Sequence, residues 1–191
     1  MKKTLVLLAL IPALYGCVAA VPAALVVGAT AGGAVVYDKR SFKTMRNDQR
    51  SASLAQYWIT QDPALEKSCH ISVTVYNGVG LMVGQAQSKA LRDKAYELMT
   101  RIPNIKRIYN AVSIAAPSSR MQRTSDAMLT GKIRTALLAE RGLQSNNIKV
   151  VTEDSVAYLM GSISRDQAEI ATNAAKHVSG VQRVVKVFEY T

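Results

Sequence analysis

Acidic residues are scarce in this chain, 13 Asp and Glu against 24 Lys and Arg for a net charge of +11. Cysteine is nearly absent, with only Cys17 and Cys69, so a small scaffold stapled by disulfides is excluded. Histidine is limited to His70 and His177, and neither has a second ligand at metal-site spacing apart from the adjacent Cys69. Neighbouring residues on a strand point to opposite faces, so Cys69 and His70 make a poor dyad. The sequence contains no Gly-x-Ser-x-Gly elbow and no glycine-rich phosphate loop, and Glu153 and Asp154 fall in a turn where solvation accounts for them. No catalytic residue, metal ligand or cofactor is therefore expected, and the chain reads as a binding protein rather than an enzyme.

What is present begins with an export signal. Lys2 and Lys3 precede an apolar stretch from Leu5 to Leu14, too short to span a bilayer permanently. Leu14-Tyr15-Gly16-Cys17 follows and resembles the bacterial lipobox, which implies cleavage after residue 16 and acylation of Cys17. Tyr15 is bulkier than the small residue usual there. Val18 stands where an Asp would mark retention in the inner membrane, so the resemblance implies the outer membrane, with the protein facing the periplasm. Acylation leaves Cys69 unpaired, either a small buried hydrophobe or a thiol open to pairing between chains.

A second apolar stretch runs from Val18 to Tyr37, with Ala24, Gly28 and Gly32 at four-residue spacing. It reads as a membrane-hugging or loosely ordered tether, or else as a lipid-inserted helix that associates with itself. Residues 38–50 follow with five basic side chains against Asp38 and Asp48. An exported protein does not meet the genome, so nucleic acid is not an expected partner. Anionic headgroups are one explanation of the charge, at about 1 kcal/mol per nearby cation, and a solvated surface is the other.

The rest of the chain repeats itself. HISVTVYNGVGLMVGQ, residues 70–85, answers NIKVVTEDSVAYLMGS, residues 147–162, at one constant offset. Each copy reads as a hairpin turning at Asn77-Gly78 or at Glu153-Asp154-Ser155. A helical pattern precedes each hairpin, around Leu54, Tyr57, Trp58 and Leu65 and around Met128, Leu129, Ile133, Leu137 and Leu138, the latter capped by Ser125-Asp126. A second helix follows each hairpin, Lys89 to Ile102 and Arg165 to Val178. A closing strand carries Ile105 and Ile108, or Val181 and Val184, and the changed offset assigns one extra residue to a connecting helix. The fold class is α+β, two α-β-β-α-β units each with a small three-stranded mixed sheet and two helices. The divisions are 1–16 signal peptide, 17–50 tether, 51–115 first unit, 116–124 linker and 125–191 second unit. A unit of this size is marginal alone.

The strand starts Ile71-x-Val73 and Ile148-x-Val150, the strand-ending Gly84 and Gly161, and Gly180-Val181-x-x-Val184 resemble the BON domain, a family of small bacterial envelope modules. Pro103-Asn104-Ile105 departs from the family's Gly-Val step in the first copy. Signal, lipobox, tether and two BON units in this order are similar to the family's outer-membrane lipoproteins. That resemblance implies binding of anionic phospholipid in the inner leaflet of the outer membrane, a part in envelope integrity and cell division, and contact with the machinery that assembles outer-membrane proteins. The alternative is a structural adaptor for assembly or division proteins, with lipid only as its anchor. Carried onto this sequence, the contact surface is the first helix of the second unit, with Met128, Leu129, Thr130, Lys132 and Ile133, and Met128 stands where the family has an aromatic residue. Trp58 is either a core or interface residue or a lipid anchor shifted to the first unit.

Overall fold

The computed structural model describes residues 40–191. The signal peptide, Cys17, the apolar stretch and Asp38-Lys39 lie outside the described residues. The first unit comprises α1 (Phe42–Gln61), α2 (Pro63–Ser68), β1 (Cys69–Tyr76), β2 (Val79–Ala86), α3 (Lys89–Thr100) and β3 (Arg107–Ile114). The second comprises α4 (Arg120–Ala139), a 3-10 turn (Ser145–Asn147), β4 (Ile148–Glu153), β5 (Val156–Ile163), α5 (Arg165–Lys176) and β6 (Arg183–Tyr190). Each unit closes a mixed sheet in which the hairpin is antiparallel and the last strand, reached through a helix, runs parallel to the second.

Both first helices start earlier than the sequence reading has them. The hydroxyl of Ser41 accepts from Thr44 N and that of Ser119 from Gln122 N, so serines cap α1 and α4 well upstream of residues 51 and 125. Ser125-Asp126 is thus no cap but lies inside α4. Asp126 is buried, and its two carboxylate oxygens accept from Asp154 N and Ser155 N at 2.9 Å each. Asp48 holds the other hairpin in the same way, accepting from Asn77 N at 2.7 Å and Gly78 N at 2.9 Å. Both turns have positive φ at their two central residues, Asn77 and Gly78 or Asp154 and Ser155, which aims successive N–H groups at one acceptor. Each first helix is therefore pinned to its hairpin by the one acidic residue it carries.

Other sequence expectations shift for similar reasons. The second helices are equally long, and the additional residue is Gln87, in the connection before α3. Ile105 and Val181 precede the closing strands and pack against the two cores from the loops. Leu65 belongs to α2, which Pro63 opens and Asp62 caps.

Three apolar clusters hold the fold. One lies between β1–β3 and the first unit's helices and includes Ala55, Ile59, Val73, Met82 and Met99. The equivalent cluster of the second unit includes Leu129, Ile133, Leu137, Leu159 and Phe188. The third joins the units: Val79, Leu81 and Val83 of β2 meet Tyr158, Met160 and Val187 of β5 and β6. Side chains alternate along a strand, so each sheet gives one face to its helices and the other to its partner sheet. The result is a helix–sheet–sheet–helix stack in which β2 is buried along its whole length. Polar bonds fix the register: Tyr76 Oη donates to Asn147 O at 2.9 Å, Gln85 Nε2 to Glu153 Oε1 at 2.8 Å, and Asn77 Nδ2 to Glu189 Oε2 at 2.7 Å. The apolar area that a single small unit lacks is supplied by its neighbour.

Candidate functional site

The geometry of α4 divides the five residues singled out there. Asp126, Leu129, Ile133 and Leu137 form its inner face, so Leu129 and Ile133 are core residues and not contact residues. Each follows Met128 or Lys132 by one position, a rotation of about 100° that carries it under the helix. Thr130 is half-buried, and its hydroxyl lies 2.9 Å from that of Thr152. Met128 and Lys132 point outward, with Met128 64 % exposed. Because α4 begins at Arg120, its outer face gains Met121, 83 % exposed and seven residues from Met128 on the same side. The sequence signal was an i, i+7 methionine pair, hidden by starting the helix at residue 125.

Charge on this face is uniform. Lys132 lies beside the two methionines and Arg120 flanks them, both exposed, whereas Arg134 turns its guanidinium back toward Val150 O at 3.5 Å and the helix's one acid, Asp126, faces inward. An exposed helix face of cations and flexible apolar side chains, free of acid, suits an anionic surface with an apolar layer beneath.

Trp58 packs half-buried against the first core, which decides between its two readings in favour of the core. Its neighbour Tyr57 is the exposed aromatic, at 58 %. Cys69 is half-buried against the same core, and burial pushes its thiol above the usual range. His70, on the next position of β1, is held below its usual value by burial and by the charge of Arg123. His177 Nδ1 lies 2.7 Å from Asn173 O at the end of α5. Among the described residues no three His, Cys, Asp or Glu side chains gather as a metal site, and no helix is long and apolar enough to cross a membrane.

A cleft of about 570 Å³ opens between the units, lined by Arg40, Tyr76, Asn147 and Gln167 among others. Arg40 is engaged there, 2.8 Å from Asp48 Oδ2 and stacked 3.9 Å from the centre of the Tyr76 ring. These contacts tie the entry of α1 to the junction between the units.

Comparison with known proteins agrees with this repeat. The BON domain profile matches residues 60–116 and again 125–191, most of the described chain. The chain belongs to the BON domain family. It is 27 % identical over 190 residues to the outer membrane lipoprotein DolP of Haemophilus influenzae, covering 100 % of this chain and 96 % of that one. It is 31 % identical over 153 residues to a 21 kDa hemolysin of Actinobacillus pleuropneumoniae, covering 80 % and 79 % of the two chains. The osmotically-inducible protein Y of Escherichia coli is 29 % identical over 121 residues, 62 % of this chain and 60 % of that relative. This is a dual-BON, DolP-like protein, and the full-length likeness supports an outer-membrane lipoprotein.

Proposed function

We propose that the protein is an acyl-anchored module of the outer membrane whose BON units bind anionic phospholipid headgroups in the inner leaflet and thereby help to keep the envelope intact. One observation carries the proposal: α4 exposes Met121, Met128 and Lys132 while its single acid is buried in a structural role. Anchoring through Cys17 makes each headgroup contact effectively intramolecular, so individually weak contacts suffice. The proposed mechanism is non-covalent: cations attract the headgroups, and apolar side chains enter the acyl boundary.

Sedimentation of residues 37–191, one compact unit, with vesicles of neutral or anionic phospholipid tests this. Recovery is expected with anionic vesicles and should decline as salt screens the surface charges. Equal recovery with both lipids, unaffected by salt, would overturn it.

A second reading, an adaptor for outer-membrane assembly or division proteins, draws on β3. That strand pairs with β2 on one side only and exposes Tyr109 and Ile114. A free strand edge can take up a strand of another chain. Crosslinking followed by co-purification separates the readings, because an adaptor retains a defined protein partner when Met121 and Met128 are changed to serine.

A further inference from the structure

The residues singled out in the sequence lie on α4, but the aromatic side chains suited to a membrane interface lie on its counterpart α1. Phe42 is 75 % exposed at the first turn of α1, and Tyr57 is exposed four turns later. At 100° per residue, Phe42, Arg46, Gln49, Ser53 and Tyr57 fall within one arc of about 80°, flanked by Lys43 and Arg50. All seven are exposed, while Asp48, Ser51, Ala55 and Ile59 form the buried side. Asp48 is the sole acid of the helix, and both its oxygens are committed to the hairpin turn and Arg40. The outer face of α1 thus carries three cations, two aromatic rings and no acid.

The position of α1 in the chain favours a membrane as the occupant. Phe42 lies 25 residues after Cys17 and directly follows the apolar stretch and its basic end. An anchor at Cys17 therefore brings α1 to the leaflet before any other described helix. Aromatic rings prefer the headgroup level, where an apolar body and a polar edge are both accommodated. The exposed large apolar residues of α4, Met121, Met128 and Leu138, lack that preference.

Resting on the headgroup-binding function proposed above, we infer that in this protein α1 is the principal membrane-docking face, seating Phe42 and Tyr57 at the interface while Lys43, Arg46 and Arg50 engage anionic headgroups. The helix lies along the bilayer surface, and α4 is the weaker contact.

The test uses the lipidated full chain, isotope-labelled, in nanodiscs of zwitterionic phospholipid with or without anionic phosphatidylglycerol and doped with a paramagnetic headgroup lipid. In anionic discs the amides of Arg46, Ser53 and Tyr57 are expected to broaden more than those of Ser125, Met128 and Lys132. Changing Phe42 and Tyr57 together to serine, or Arg46 and Arg50 together to glutamine, should return the α1 amides to their neutral-disc values. Unshifted amides of Ile71 and Val73 would show the fold intact. Stronger broadening on α4 overturns the inference while the proposed headgroup binding stands. Broadening of neither helix beyond that of β3 overturns both, and equal broadening of α1 in neutral discs overturns the electrostatic part of the inference.

Discussion

The two units share a frame and differ in what they show to solvent. Helix, hairpin, helix and strand repeat between them; Asp48 and Asp126 do the same task, and Gly84 and Gly161 occupy the same place in the sheet. Outside that frame the copies diverge. One first helix presents Phe42, Arg50 and Tyr57, whereas the other presents Met121, Met128 and Lys132. The repeat was retained where backbone geometry demands it and drifted where only the surroundings are touched. Changes inside the frame should therefore cost stability, and changes outside it should cost binding alone.

The largest effect is expected at the two glycines. A Cβ on Gly84 would lie 1.9 Å from His70 O, at a φ of +118° that side chains avoid; on Gly161 it would lie 2.4 Å from Asn147 O. Gly84→Ala is expected to cost about 3 kcal/mol or more and Gly161→Ala about 2 kcal/mol, measured by urea denaturation. Equal costs would mean that the two hairpins approach their neighbours in the same way.

Next comes the junction between the sheets. Leu81 and Met160 are fully buried on the side of each sheet that faces away from its helices. Truncating either to alanine should cost about 3 kcal/mol and leave a single unfolding transition, because each unit depends on the other. Two separate transitions would show units that are stable alone. The aspartate clamps rank third. Asp48→Ala or Asp126→Ala strands two turn N–H groups, at about 2 kcal/mol each. Asp48→Ala should cost the more of the two, since it also removes the ion pair with Arg40.

How much of this could be read from the sequence follows the same division. Hairpins, their turns and their terminal glycines were legible because alternation and turn chemistry are local and occur twice. The helix starts were not, because an aspartate inside a helix looks like a cap until the turn it holds is known. Tyr57 and Trp58 are adjacent in sequence but about 100° apart on the helix, and the composition of α1 did not favour either as the inward one. The sheet-to-sheet packing left a trace in VGLMVGQA and VAYLMGSI, apolar at nearly every position as strands covered on both faces are. A short apolar run of that kind signals burial but does not name the partner surface.

Glu153 sharpens the comparison through pH. Its counterpart in the first hairpin is Tyr76, so at this hairpin position only the second unit carries a carboxyl. Burial, with Asp126 and Asp154 adding to it, raises the Glu153 carboxyl above its ordinary 4.5 despite the bond from Gln85 and the charge of Arg123. A raised acid binds its proton more tightly in the folded state. This group therefore favours folding below pH 4.5 and withdraws that contribution as pH rises from there through its folded value. Glu153→Gln keeps an acceptor for Gln85 and should flatten this part of the stability profile, seen as a smaller fall in melting temperature between pH 4 and pH 7 than the parent shows. An unchanged profile would mean that the carboxyl titrates as if solvated.

The smallest effect on stability is expected where the largest effect on binding is proposed. Met121 and Met128 make little contact with the core, so changing both to serine should shift stability by no more than about 0.5 kcal/mol. The same holds for Phe42 and Tyr57. Vesicle recovery should fall for both pairs, and further for the aromatic pair, because rings anchor at an interface and thioethers merely adapt to one. If either pair destabilised the fold appreciably, its face would belong to the conserved frame and not to the surface that diverged. If the methionine pair lowered recovery more than the aromatic pair, the principal surface would lie on the second unit although α4 carries no ring.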